Sequence, residues 1–303
     1  MKRWKIITLC IMIGGGVYVG NSGMFLGGSD TSAMIQIDKQ EVREVTLTSE
    51  HAVLINQESG KILLNKKGDE RIAPASLTKI MSVHVALAHI NNLQETAIVP
   101  GDIFPALQKE NASMAGFLPH ERVTMEDLLH GALLSSGADS CLTLAVALCG
   151  NEDAFVKLMN QEAKRIGMKN THFTNCTGLD DDQHYSTAED LALLLKVSLE
   201  DEIFAKIFHE KNYVMVSNLH PDGLTLTSTL WQTMANHSLS SPYIMGGKTG
   251  FTNHAGLCLA SQGMVDKTSY IFVSAEATGD SESEPFHVLD AIKVYEMLAN
   301  EIR

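Results

Sequence analysis

Positive charge is scarce in this sequence: 23 lysines and arginines stand against 36 aspartates and glutamates, for a formal net charge of -13 over 303 residues. Nucleic acid is thereby excluded as a partner, because a phosphate backbone requires a basic footprint. The twelve histidines show neither H-x-x-x-H nor H-x-H spacing, so the pattern of a zinc peptidase is missing and neither metal nor other cofactor is expected. His172 and His184 flank the acidic run Asp180-Asp181-Asp182, where loop capping is the expected role. Internal repeats and low-complexity tracts are lacking, which removes solenoids and arrays. Cysteine is sparse as well, with five in the chain. Cys141 and Cys149 fall on one predicted helix, where their separation of ~12 Å of rise is too long for a disulfide. With Cys176 and Cys258 they are expected as small buried thiols.

What is present begins with a cationic start, Lys2, Arg3 and Lys5, followed by a charge-free run from Ile6 to Ser29. This pattern directs the chain to a membrane, either as a cleaved signal peptide or as an uncleaved anchor, since the run approaches the ~20 residues that span a bilayer. Residues 1–29 are therefore expected to be signal or anchor, and the polar residues 30–49 a tether. The remaining 50–303 should form the folded domain, for which an apolar content of 45% is ample.

Within that domain, apolar runs at 52–56 and 62–65 flank Glu58-Ser59-Gly60-Lys61, the pattern of a β-hairpin. Pro74 breaks the chain before a buried helical run, from Ile80 to Ile90. Thr124 with Asp127 opens a helix with a capping box, and Ser135-Ser136-Gly137-Ala138-Asp139 interrupts it before the apolar pattern resumes at Leu142. Helices are predicted from Phe155 to Ile166, Thr187 to Leu199 and Phe286 to Ile302. A strand hairpin with a glycine-rich entry, Gly246-Gly247-Lys248-Thr249-Gly250, is predicted to turn at Gly263.

The chemistry centres on Ser76 and Lys79. In a helix this S-x-x-K spacing puts the lysine one turn beyond the serine on the same face, a nucleophile beside a base. A serine hydroxyl is weak without such a base, and a desolvated lysine near a second cation can be neutral and take its proton. Ser76 also stands where loop becomes helix, and the free N–H groups there suit a developing oxyanion.

Ser76-x-x-Lys79, Ser136-Gly137-Ala138 and Lys248-Thr249-Gly250 stand in the order of the three motifs of penicillin-binding proteins and serine β-lactamases. Pro74-Ala75-Ser76-Leu77-Thr78-Lys79, Gly167-Met168-Lys169-Asn170-Thr171-His172-Phe173, Gly178-Leu179-Asp180 and Gly246 to Thr252 sharpen this: the chain resembles the low-molecular-mass D-alanyl-D-alanine carboxypeptidases from about Ala52 onward. A class A β-lactamase would need an E-x-x-L-N segment, which is missing. The resemblance implies an α/β (α+β type) fold of the DD-peptidase/β-lactamase kind, an antiparallel sheet covered by helices plus a mainly helical lobe. It implies Ser76 as acylated nucleophile, Lys79 as general base and Ser136 as proton relay. Lys248 and Thr249 would bind substrate carboxylate and stabilise charge, and the N–H groups of Ser76 and Phe251, beside Gly250, would form the oxyanion hole.

By the same resemblance the substrate is a peptidoglycan stem peptide ending in D-Ala-D-Ala, β-lactams are inhibitors, and the site of action is the extracytoplasmic face of the bacterial membrane. Two departures matter. Ala138 stands where the family's second motif has asparagine, which implies slower turnover or a penicillin-binding regulator of peptidoglycan. No arginine occurs between Arg165 and Arg303, although many relatives place one before the last helix, near the substrate's terminal carboxylate. Relatives also carry a β-rich C-terminal domain with an amphipathic anchor; with the sequence ending at the catalytic domain, residues 1–29 are the expected attachment.

Overall fold

The computed structural model describes residues 32–36, 42–280 and 282–302, with the backbone alone for 32–36, 42–44 and 302. The expected signal or anchor lies outside these residues. Two antiparallel strands come first, β1 (Ser32–Gln36) and β2 (Val42–Thr46). They correct the expectation of a polar tether over 30–49. Val45 and Leu47, two positions apart, are buried, while Thr46 between them is exposed. Period-two burial lets a largely polar stretch pair into a sheet, with Thr46 facing water between two buried neighbours.

The hairpin follows as predicted, β3 (His51–Asn56) and β4 (Ile62–Lys66), with Gly60 at φ +71° in its turn. A 3-10 turn, Ala75–Leu77, runs directly into α1 (Thr78–His89). After β5 (Thr96–Ile98), α2 (Phe104–Lys109) and β6 (Arg122–Thr124), the helical lobe is completed by α3 (Met125–Leu133), α4 (Ala138–Cys149) and α5 (Glu152–Ile166). The capping box at the start of α3 forms, with Thr124 and Asp127 bonding reciprocally. Next come α6 (Ala188–Ser198), α7 (Glu202–His209), the small hairpin β7 (Asn212–Met215) and β8 (Leu224–Thr227), and α8 (Thr229–Asn236). The chain closes with β9 (Ile244–Thr252), β10 (Gly256–Val265), β11 (Thr268–Ala277) and α9 (Phe286–Ile302).

Seven of these strands make one antiparallel sheet in the order β2-β1-β4-β3-β11-β10-β9. Both faces of its centre are covered. Along β3, Ala52 and Leu54 turn to the core shared with α9, while Val53 and Ile55 turn to the core shared with α1 and α6. Phe272 and Ile271 divide in the same way on β11. Strands buried on both sides read as continuous apolar runs. Each of the valine, leucine, isoleucine and phenylalanine side chains among them contributes about 1.5–3 kcal/mol by leaving water.

The turn of the β10/β11 hairpin differs from the expectation. It falls at Asp266 and Lys267, both at positive φ, the backbone that a tight two-residue hairpin needs. Gly263 lies within β10, where a Cβ would stand 2.4 Å from the ring of Tyr295. That glycine lets α9 seat a buried tyrosine on the sheet, its hydroxyl bonded to Ser261. The four cysteines among the described residues are free, and Cys149 alone of them is only half-buried.

Candidate active site

Three separate segments meet at Ser76. Ala75 before it has φ +46°, a conformation that is costly for a residue with a side chain. Its carbonyl is packed under Gly178, where an added Cβ would lie 1.9 Å from the Ala75 oxygen, and Gly178 itself has φ +85°. The Asn175 carboxamide oxygen accepts from the N–H groups of Thr177 and Gly178, bracing that loop. On the other side Gly250 of β9 approaches so closely that a Cβ would stand 3.1 Å from the Ser76 nitrogen. Since β9 is the edge of the sheet, it brings unpaired backbone polar groups toward the serine. Gly178→Ala should therefore displace Ser76 and lower β-lactam acylation by about 10²-fold. Gly167→Ala is the control, because Gly167 has φ +98° but open space around it. It should lose stability in a thermal melt and keep its acylation rate.

One turn along α1, the Lys79 Nζ donates to Ser76 Oγ at 3.0 Å and to the Thr177 carbonyl at 2.5 Å. Its amine is buried, and burial lowers its pKa below the ordinary lysine value against the opposing pull of Cys141, Cys176 and Asp139. Lys248 on β9 is wholly buried as well and donates to the Thr249 carbonyl at 2.7 Å. Burial first, and then the Lys79 charge, push Lys248 well below its ordinary value. Burial is thus what lowers Lys79, and the repulsion between the two amines falls on Lys248. Two buried ammonium groups so placed cannot both keep their protons easily, which leaves an amine able to accept one.

Ser136 occupies the turn between α3 and α4 at φ +59°, buried and with no partner for its Oγ. The turn is held by Asp139, whose carboxylate accepts from the N–H groups of Ala115, Gly116, Phe117 and Ser140. Burial raises the Asp139 pKa and those four bonds lower it in part. Sequence reasoning missed Asp139 as the clamp that positions the 113–117 loop beside Ser136. An acid in the first turn of α4, directly after the serine motif, was the available signal. Ala138 is buried, its N–H bonded to the Ser113 carbonyl, and its side chain is not part of the cleft wall.

The cleft has a volume of about 490 Å³. It brings together Ser76, Ser136, Thr249, Gly250 and Phe251, all expected from sequence, while Lys79 and Lys248 are buried and outside its lining. Asn111 and Ser113 form one wall; Thr229, Asn236, His237 and His287 belong to elements that carried no motif. The Thr229 and Thr249 hydroxyls are hydrogen-bonded at 2.6 Å.

His184 supports the site from behind. Its Nδ1 accepts from the Thr174 N–H at 3.0 Å, so the proton lies on Nε2, 2.8 Å from Thr78 Oγ1. Burial lowers its pKa to about 4. With an unfolded value near ~6.5, the unfolded chain takes up this proton first as pH falls, so stability is lost from pH 6.5 downward. From pH 7 to pH 5 the loss from this one group should be roughly 2 kcal/mol. Urea unfolding of wild type and His184→Gln at the two pH values checks it, the variant losing correspondingly less.

A serine bonded to a buried lysine, a second serine on a helix turn and a lysine-threonine-glycine strand, all on this layered sheet, define a DD-peptidase fold. Residues 38–279 match the D-alanyl-D-alanine carboxypeptidase family, and the chain belongs to it. It is 35% identical over 235 residues to D-alanyl-D-alanine carboxypeptidase DacF of Bacillus subtilis, covering 76% of this chain and 58% of that one. DacC of Escherichia coli is 33% identical over 256 residues, covering 81% and 60%. The chain thus spans about three-fifths of the length of these relatives. Among solved structures, the Streptomyces K15 DD-transpeptidase superposes with a TM-score of 0.74 at 25% identity, covering 84% of this chain and 98% of that one.

Proposed function

We propose that this chain is a serine-type D-Ala-D-Ala carboxypeptidase, removing the terminal D-alanine of peptidoglycan stem peptides through an acyl-enzyme on Ser76. The observation that carries this reading is the 3.0 Å contact between Ser76 Oγ and the buried Lys79 amine, in a cleft that also holds the unpartnered Ser136 hydroxyl. Lys79 takes the hydroxyl proton as Oγ attacks the carbonyl of the penultimate D-alanine. The N–H groups of Ser76 and Phe251 receive the oxyanion. Ser136 relays that proton from Lys79 to the departing amine, and water then releases the acyl group. Thr249, with Thr229 beside it, offers hydroxyl donors to the substrate carboxylate, and Lys248 stands next to Thr249 on β9.

Residues 1–29 and the family's substrate favour export and action outside the cytoplasmic membrane, with β-lactams as acylating inhibitors. No helix among the described residues is long and apolar enough to cross a membrane. The test is release of free D-alanine from an N-acylated peptide ending in D-Ala-D-Ala. Release by wild type is expected. Penicillin acylation without any release would support a regulator that has kept the pocket and lost turnover.

A further inference from the structure

Among the described residues, two of the buried polar side-chain atoms without a partner, Ser136 Oγ and His287 Nδ1, belong to residues that line the cleft. Ser136 has a place in the proposed reaction; His287 has none. It is the second residue of α9 and only 4% exposed. Buried polar atoms in native proteins are almost always paired, and an orphan in a cleft wall awaits a ligand atom or a water. In the same wall are His237, which follows α8, and Thr229 and Thr249. Neither lysine nor arginine is among the described lining residues, so His237 and His287 are the lining groups there that can become cationic.

We propose that His287, backed by His237, binds the free terminal carboxylate of the peptide and makes the site specific for an uncapped C-terminus. This assignment rests on the peptidase reading above. Burial, and then His237, hold the pKa of the empty ring down at about 4, so it is neutral at pH 7. A carboxylate at hydrogen-bond distance raises the ring's proton affinity. Binding then takes up a proton, which becomes easier as pH falls. Of the acidic residues near His287 in the cleft wall or along the chain, Asp280 and Asp290 are already engaged. Asp280 in the cleft wall accepts from the backbone N–H groups of Glu282 and Ser283, and Asp290 on α9 accepts from those of Thr48 and Ser49. Glu284, one turn before His287, is exposed. The N-terminal end of α9 adds a field that favours an anion.

The experiment uses the full chain with Ser76→Ala, which lacks the nucleophile and so cannot turn over a bound peptide. The His287 ring is titrated by NMR between pH 3 and pH 8, its resonance assigned from its loss in His287→Asn. Three samples are compared: free protein, an N-acylated peptide ending in D-Ala-D-Ala, and the same peptide as its C-terminal amide. The carboxylate peptide should raise the His287 pKa by at least about one unit, equivalent to tenfold tighter binding on protonation, and the amide should not. His287→Asn, which keeps a donor near Nδ1 but cannot take a proton, should abolish any tightening between pH 7 and pH 5. Equal shifts with both peptides, an unmoved resonance, or no binding of the carboxylate peptide would overturn the assignment. Release of D-alanine by wild type is scored separately. Release with an unmoved His287 defeats this inference alone, and a carboxylate-dependent shift without release defeats the peptidase and leaves the carboxylate site standing.

Discussion

Ser76→Ala will show no mass increase after penicillin treatment, and its release of D-alanine will fall by about 10⁶-fold, the scale on which a serine hydrolase loses its nucleophile. The argument is local. Ser76 Oγ is the hydroxyl bonded to Lys79, it faces the cleft, and the strained Ala75 with the two close glycines holds it there. The substitution removes one hydrogen bond, a change of about 0.5–1.5 kcal/mol, so the melting temperature should move by only a few degrees. Intact-mass spectrometry with a parallel thermal melt separates loss of the nucleophile from loss of the fold. An adduct of undiminished yield on the variant would show that another residue is acylated.

Removal of the base should have the next largest effect. Lys79→Met keeps the length of the side chain and takes away the amine, so acylation should slow by about 10²- to 10⁴-fold. Its cost to the fold is contained: the Thr177 carbonyl loses its partner, while the penalty of keeping an amine in a buried site disappears. Wild-type acylation should rise with pH through a limb set below the ordinary lysine range, in keeping with the lowered Lys79 pKa, and the variant should lack that limb. Stopped-flow acylation between pH 5 and pH 10 checks both. A rate within a few-fold of wild type would transfer the role to Lys248, the other buried amine of the site.

Much of this site was legible because its parts lie close together in sequence. Ser76 and Lys79 are one helical turn apart, and the lysine, threonine and glycine of β9 are consecutive. The α3 capping box, the β3/β4 hairpin and the α9 helix were equally local readings, each a matter of spacing or of turn residues. The β1 and β2 strands were missed because outer strands carry little apolar patterning; their identity comes from pairing, β1 with β4 as well as with β2. Gly263 was misread as a turn for a related reason. A glycine that makes room for an aromatic ring looks in sequence like a glycine that bends the chain, and the ring of Tyr295 lies 32 positions away.

The sequence by itself therefore determined the family, the two serine motifs, several of the helices and strands that carry them, and the chemistry open to a serine beside a lysine. Tertiary structure decided what surrounds them. Gly178 meets Ala75 across about a hundred positions, Asp139 gathers the N–H groups of a loop more than twenty positions earlier, and the cleft wall of Thr229, His237 and His287 is assembled from α8 and α9. Burial decided the proton affinities of Lys79, Lys248, His184 and His287, each held below its ordinary value. The physical reason is that motifs record bonding along the chain, within a turn or a strand, whereas desolvation and close approach depend on which distant segments exclude water from the same small volume.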